Sequence, residues 1–101
     1  MIALLLPAFA GTTGSVEGIL KDLAGIPVQG AKVTFTDLAK GKIVSATSNR
    51  KGSYEFPVIF PGSYKLHVEA KGFTPQDRSP VVIHVDSALR IDLTLEAGTN
   101  P

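Results

Sequence analysis

The sequence predicts an all-β domain, a Greek-key sandwich of about seven antiparallel strands. Apolar and polar residues alternate with a period of two from Ser15 onward, the pattern of strands that bury one face. Turn residues separate the alternating runs at roughly the 8–12-residue spacing of sandwich proteins. The length of 101 residues fits one domain, and no segment shows the periodicity of a helix.

The sequence predicts three strands in the first half of the domain. The run Ser15–Lys21 alternates, but it carries Gly18 on its apolar face, which indicates either a bulge or the close approach of another chain segment. Ala31–Asp37 is a second run, which directs Ala31, Val33 and Phe35 inward. Ile43–Ser48 is the most polar run and is therefore expected nearest to a sheet edge.

The centre of the chain concentrates turn residues and aromatic residues. Asn49 and Gly52 predict a tight turn, and Ser53–Phe56 predicts a short strand that Pro57 ends, because proline cannot donate to a sheet. Phe60 is interpreted as a buried anchor. Pro61-Gly62 suits the central positions of a type II turn.

The second half continues the alternation. Tyr64–Ala70 predicts a strand closed by a turn at Gly72, and Thr74–Pro80 predicts a polar connection. Val81–Val85 is a further alternating run. Ala88–Glu96 alternates most regularly and predicts one continuous last strand with Leu89, Ile91, Leu93 and Leu95 facing inward.

Composition excludes several classes of function. The net charge is +1 and the lysines and arginines are dispersed, so the sequence predicts no nucleic-acid partner. Cysteine is absent, which removes disulfides, thiol catalysis and thiolate metal sites. The sequence predicts no cofactor.

The first ten residues, 1–10, are apolar, and Ala8-Phe9-Ala10 before Gly11 fits a signal-peptidase site. We interpret them as the remnant of an export signal; the alternative is an apolar terminus that lies against the domain. They are too few to span a membrane, so no transmembrane span is predicted. The remaining divisions are a linker at 11–14, the domain at 15–97 and a tail at 98–101.

Four motifs occur in order: Val16-x-Gly18-x-Leu20-x-Asp22, Pro27-Val28-x-Gly30-Ala31-x-Val33, Gly52-x-Tyr54-x-Phe56, and Pro61-Gly62-x-Tyr64-x-Leu66-x-Val68-x-Ala70-x-Gly72-Phe73. Together they resemble the carboxypeptidase regulatory-like domain family over Ser15 to about Ala97. The resemblance implies a transthyretin-like (prealbumin-like) sandwich, grouped with the carbohydrate-binding-like folds. Its structural signature falls on Gly18, Gly52, Tyr54, Phe56, Pro61, Gly62, Tyr64 and Gly72.

The run Leu89–Gly98 is similar to the end of the N-terminal domain of Oar-like TonB-dependent outer-membrane receptors. That similarity implies an exported protein of the periplasm, outer membrane or cell exterior. A receptor plug and barrel do not fit within this length, so the receptor function itself is not implied.

Catalytic and metal-binding patterns are absent from the sequence. The two histidines, His67 and His84, both fall on outward strand positions, and zinc needs three or four ligands. The His-x-x-Glu pair of the metallocarboxypeptidases is missing, as are the Gly-x-Ser-x-Gly elbow and the P-loop. The sequence therefore predicts a protein that is not an enzyme.

Two functional hypotheses follow. The first is a structural or interaction module that contacts a protein partner or a neighbouring domain, with a sheet edge as one means of contact. The second is a carbohydrate-binding module, which needs exposed aromatic rings.

The candidate contact residues are Phe73, Gln76, Asp77 and Arg78. Exposure of Phe73 and a tyrosine on one patch would favour the carbohydrate hypothesis, whereas Tyr54, Phe56, Phe60 and Tyr64 are expected in the core.

Overall fold

A computed structural model describes residues 12–98, and this part of the chain forms two four-stranded sheets packed face to face. The first sheet has the order β4-β1-β7, with β8 also paired to β1, and the second has the order β3-β2-β5-β6. The predicted β-sandwich class is confirmed. The strands are β1 Gly14–Asp22, β2 Lys32–Asp37, β3 Ile43–Thr47, β4 Ser53–Ile59, β5 Gly62–Glu69, β6 Gln76–Ile83, β7 Ala88–Arg90 and β8 Leu93–Leu95.

The core lies between the inner faces of the two sheets. The alternation of each strand carries its apolar residues into this layer, as predicted for β1, β2 and β5. Phe35 stands at its centre, in edge-to-face contact with Phe56 at 5.0 Å and with Tyr64 at 5.9 Å between ring centroids. Such geometry adds to the stabilisation that burial of the rings provides.

The predicted continuous last strand is wrong. The segment forms two short strands, β7 and β8, which both pair parallel with β1. Between them the Asp92 carboxylate, in place of a main-chain carbonyl, accepts a 2.8 Å hydrogen bond from the Ile19 amide. Ile91 and Leu93 are still buried, so the alternation identified the inward residues but not the interruption.

The predicted strand limits at Pro57 and after Pro80 are wrong. β4 continues through Pro57 to Ile59, and β6 already begins at Gln76 and continues through Pro80. Both strands lie at sheet edges, and both prolines lie where two residues stand opposite one on the partner strand. A proline at an edge bulge removes no hydrogen bond of the sheet, so the strand continues.

Phe60 is not the predicted buried anchor, since its side chain is 54% exposed. Ile59 takes the inward position instead, and adjacent residues on extended backbone face opposite sides. Gly62 is not the second central residue of a type II turn either. Its φ of 151° differs from the value near +80° that such a turn requires, and it opens β5.

The turn before β4 forms as predicted. The Asn49 side-chain oxygen accepts hydrogen bonds from the Lys51 and Ser53 amides at 2.9 and 3.0 Å. Gly52 has a φ of 76°, and a Cβ there would stand 2.3 Å from the Leu20 carbonyl oxygen. This turn therefore needs glycine for two independent reasons.

Candidate interaction site at the open side of the sandwich

A groove lies where the edge strands β3 and β4 leave one side of the sandwich open. We call it the edge groove; its volume is 370 Å³. Its lining residues are Asp37, Lys40, Lys42, Val44, Val58, Ile59, Phe60, Pro61 and Tyr64. Three of the apolar side chains, those of Val44, Val58 and Phe60, are exposed to solvent. A concave apolar surface rimmed by a few charged groups is the usual form of a binding site.

The edge groove is lined by one carboxylate and two lysines, and they differ in how far they are engaged within the protein. The Asp37 carboxylate accepts hydrogen bonds from the amides of Ala39 at 2.8 Å and Lys40 at 3.0 Å, and these bonds lower the pKa of that carboxyl. Neither Lys40 nor Lys42 has a carboxylate within salt-bridge distance among residues 12–98. The lysine ammonium groups therefore remain available for an acidic ligand.

A second groove, of 280 Å³, lies beside the interruption between β7 and β8. Two of its three charged residues bind each other, because Arg90 contacts Asp92 at 3.1 Å, and Asp92 also accepts a hydrogen bond from the Ile19 amide. This arrangement stabilises the interruption, and it engages the Arg90 and Asp92 side chains within the protein.

Sequence reasoning did not find the edge groove. The signal was present in the pair Ile59-Phe60, because two adjacent apolar residues of an extended chain cannot both face the same core. The assignment of Phe60 to the core concealed an exposed aromatic side chain beside Pro61.

The predicted contact residues do not form one free patch. Phe73 forms an antiparallel bridge with Ala97 and packs against the core. The Gln76 amide donates to the Thr94 carbonyl of the opposite sheet, so it joins β6 to β8. Arg78 is exposed. Phe73 and Gln76 therefore close the sandwich on the side opposite the edge groove.

The aromatic patch that would favour the carbohydrate hypothesis does not form around Phe73. Tyr54 and Tyr64 are only 2% and 5% exposed, and Phe73 is half-buried. The tyrosine hydroxyls donate to the carbonyls of Ile91 and Phe60, respectively. The tyrosines belong to the core, as predicted.

A family model, the carboxypeptidase regulatory-like domain, matches residues 15–96, which is most of the described sandwich. The chain belongs to the carboxypeptidase regulatory-like domain family. The matched range includes all the glycines and aromatic residues of the predicted signature. By sequence, no curated protein matches the chain significantly.

Solved structures share the fold of this regulatory-like domain at low identity. The TIE protein of Bacillus anthracis has a TM-score of 0.71 at 14% identity, over 85% of this chain and 17% of that one. A Bacteroides uniformis protein, provisionally described as carbohydrate-binding, has a TM-score of 0.68 at 19% identity, over 84% of this chain and 42% of that one. A minor pilin of Streptococcus agalactiae has a TM-score of 0.69 at 11% identity, over 91% of this chain and 48% of that one. The chain thus spans less than half the length of these proteins, and the similarity establishes the fold alone.

His67 and two carboxylates form an ionic network on the outer face of the second sheet of the regulatory-like domain. His67 Nδ1 lies 2.6 Å from Asp77 Oδ1, and Nε2 lies 3.3 Å from Glu69 Oε2. The Asp77 hydrogen bond, with a smaller contribution from Glu69, raises the pKa of His67, and the same bond lowers the pKa of Asp77. No group of three histidine, cysteine or acidic residues within 12–98 has the geometry of a metal site. Asp77, a predicted contact residue, is thus engaged within the sheet.

This network predicts a pH-dependent stability. The raised pKa of His67 gives a stabilisation that is complete below the ordinary histidine value of 6.5 and is lost as the pH rises through the raised value. The lowered pKa of Asp77 gives a second stabilisation. It is complete above pH 3.8, the ordinary aspartate value, and is lost as the pH falls through the lowered value. The melting temperature of the wild type should therefore fall between about pH 6 and pH 9 by more than that of His67→Gln.

The matched control is His84→Gln, which replaces the other histidine outside the network. Its melting temperature should follow the wild-type profile. A His67→Gln profile parallel to that of the wild type would show that the network does not influence stability.

The described part of the chain contains no helix with the length and apolarity needed to cross a membrane. The predicted export-signal remnant at 1–10 lies outside the described residues. Of the predicted linker at 11–14, Gly14 already belongs to β1; of the predicted tail at 98–101, the Gly98 amide donates to the Gly72 carbonyl. Gly14 and Gly98 are therefore both part of the described fold.

Proposed function

We propose that this regulatory-like domain is a non-catalytic interaction module of an exported cell-envelope protein, and that it binds a protein partner or a neighbouring domain through the edge groove. The observation that carries the proposal is the exposure of Val44, Val58 and Phe60 along one concave surface beside Lys40 and Lys42. Exposed apolar side chains gathered in one groove are typical of a binding surface.

Two further observations support the non-catalytic and exported parts of the proposal. Both ring nitrogens of His67 are held by carboxylates, so this histidine is not poised as a general base. The apolar run 1–10 ends in Ala8-Phe9-Ala10 before Gly11, as an export signal does. The similarity of Leu89–Gly98 to the N-terminal domain of TonB-dependent receptors fits the same location.

Phe60→Ser is expected to abolish binding without unfolding the domain. The side chain is more than half exposed, so its removal should change the melting temperature little, while it deletes the largest apolar side chain of the groove. Peptides selected on the wild type from a displayed random library provide the ligands. Their affinity, measured by biolayer interferometry, should fall by about tenfold or more.

Val82→Ser is the matched control, since Val82 is an exposed apolar residue on β6, away from the groove. Selected peptides should bind it as they bind the wild type. Retention of affinity by Phe60→Ser, or equal losses in both variants, would contradict a binding site in the edge groove.

Carbohydrate binding is a second candidate, favoured by one observation. Phe60 presents an exposed aromatic ring in a groove that also holds the Asp37 carboxylate, a combination suited to stacking and hydrogen bonding with a sugar. The similar Bacteroides uniformis protein is provisionally described as carbohydrate-binding. Glycan-array binding that is lost in Phe60→Ser and retained in Val82→Ser would support this candidate over the protein-binding one.

A further inference from the structure

Three of the four sheet edges in the described structure are protected against a further strand. β4 carries Pro57 at a bulge, and β6 carries Pro80 at another. β7 and β8 are three residues each and are separated by an interruption. Proline, bulges and short strands are the devices by which proteins prevent pairing at an edge.

The edge strand β3, Ile43–Thr47, lacks these devices. Its five residues, Ile-Val-Ser-Ala-Thr, include no proline, glycine or charge, and its pairing with β2 is regular from end to end. An uncharged, regular edge rich in β-branched residues is a template for strand addition.

The hydrogen bonds at the ends of β3 show which of its main-chain groups face outward. The Asp37 amide donates to the Lys42 carbonyl, and the Ser48 amide donates to the Ala31 carbonyl. Because hydrogen-bonded pairs alternate along an antiparallel ladder, Val44 and Ala46 direct their amides and carbonyls toward β2. The main-chain groups of Ile43, Ser45 and Thr47 consequently point away from the sheet.

The edge groove lies directly beside these outward groups. Val44 faces the inner side of β3, and Val58 and Phe60 line the same groove from the β4 side. A strand added to β3 would alternate its side chains between solvent and this groove. The added strand would thus gain main-chain hydrogen bonds and apolar contacts together, the combination used in recognition by strand addition.

The charges around β3 select an acidic occupant over a second copy. Lys40 and Lys42 precede the strand, and Arg50 and Lys51 follow it. An antiparallel pair of two β3 strands would bring the basic residues that precede β3 in one copy close to those that follow β3 in the other. Like charges brought close together disfavour pairing, whereas carboxylates at both ends of an added strand would be attracted.

We infer that the domain recognises an extended protein segment with alternating apolar residues and acidic residues at both ends, and that this segment adds as a strand to β3. The inference rests on the proposed interaction function, and it names the binding mode and the chemistry of the partner. The outward amides of Ile43, Ser45 and Thr47 provide the pairing, and the edge groove holds the apolar side chains.

The probe is the capped peptide Glu-Glu-Val-Thr-Val-Thr-Val-Glu-Glu, with a counterpart that carries lysine in place of each glutamate. The glutamate peptide should bind the full chain, and in its presence the exchange of the Ile43, Ser45 and Thr47 amides, followed by NMR, should slow. Ser45→Pro removes an outward amide without removing a β2–β3 bond and should weaken binding by about tenfold or more. Ser45→Thr, the matched control, keeps the amide and should bind as the wild type.

Two additional measurements show whether a loss of binding in Ser45→Pro results from misfolding or from the missing main-chain hydrogen bond. Its melting temperature should match that of Ser45→Thr, and the glutamate peptide N-methylated at every internal residue, which cannot donate main-chain hydrogen bonds, should not bind the wild type. The lysine peptide should bind the wild type at least about tenfold more weakly than the glutamate peptide.

The outcomes separate this inference from the proposed function. Loss of binding in Phe60→Ser with no effect of Ser45→Pro and no slowed exchange in β3 would overturn strand addition and leave the groove as the site. Loss in Ser45→Pro with no effect of Phe60→Ser would overturn the groove and keep strand addition. Equal binding of both peptides, no binding of either, or dimerisation that Ser45→Pro abolishes would overturn the acidic strand as the occupant.

Discussion

A Gly18→Ala variant is expected to lose on the order of 3 kcal/mol or more of its free energy of unfolding, a large part of the stability of a domain this size. A Cβ at Gly18 would stand 1.8 Å from the Ile91 carbonyl oxygen and 2.8 Å from Cε2 of Tyr54. The first contact is with a main-chain atom, which cannot change rotamer as a side chain can. The interruption between β7 and β8 would therefore have to move away from β1.

Urea denaturation followed by circular dichroism measures this change. Gly41→Ala is the matched control, because Gly41 has a φ of 72° but nothing within 4 Å of a Cβ placed there. It should lose only the about 1–2 kcal/mol of the left-handed backbone conformation. Equal losses in the two variants would show that the close approach of Ile91 to Gly18 does not determine stability.

The fold was predictable because the alternation of this sequence is strong and local. Each inward residue predicted for β1, β2 and β5 is buried, and the turn at Asn49 and Gly52 carries its own hydrogen-bonding chemistry. The unusual placement of Gly18 within a strand predicted either a bulge or a close approach, and the structure shows the close approach of Ile91. Periodicity and turn chemistry depend on neighbours in sequence, so one sequence suffices to find them.

The errors concern features that depend on neighbours in space. Whether Pro57 ends a strand depends on which strand lies beside it, and at an edge bulge it ends nothing. The interruption after β7 depends on an Asp92 carboxylate that replaces a main-chain partner of Ile19, a contact across more than 70 residues of sequence. Alternation alone carries no information on either point.

The candidate site was less predictable than the fold for a related reason. The sequence predicts that the aromatic residues near glycine and proline all lie in the core. This is confirmed for Tyr54, Phe56 and Tyr64 and is wrong for Phe60. The edge position of β3 was predicted and is confirmed. The groove forms only when β3 and β4 meet at one side of the sandwich, and their separation in sequence conceals it.

Tyr54→Ala is expected to destabilise the domain by about 3–5 kcal/mol, the range of large aromatic truncations in cores. The Tyr54 ring is 2% exposed, lies opposite Gly18 on the adjacent strand and contacts Phe56 edge-to-face. Its hydroxyl donates a 2.6 Å hydrogen bond to the Ile91 carbonyl at the interruption of the last strand. Burial raises the pKa of Tyr54 to about 12, so the hydroxyl keeps the proton it donates at any physiological pH.

Tyr54→Phe separates the ring from the hydroxyl. It keeps the packing but removes the buried donor to the Ile91 carbonyl, for an expected loss of about 1–3 kcal/mol. Tyr64→Phe is the matched control: its hydroxyl bond to the Phe60 carbonyl is only partly buried, so water can replace it and the loss should be smaller. Urea denaturation measures all three variants. Equal losses in the two phenylalanine variants would contradict the view that Tyr54 holds the interrupted strand in place, since that view requires the buried hydroxyl of Tyr54 to contribute more than the wetter hydroxyl of Tyr64.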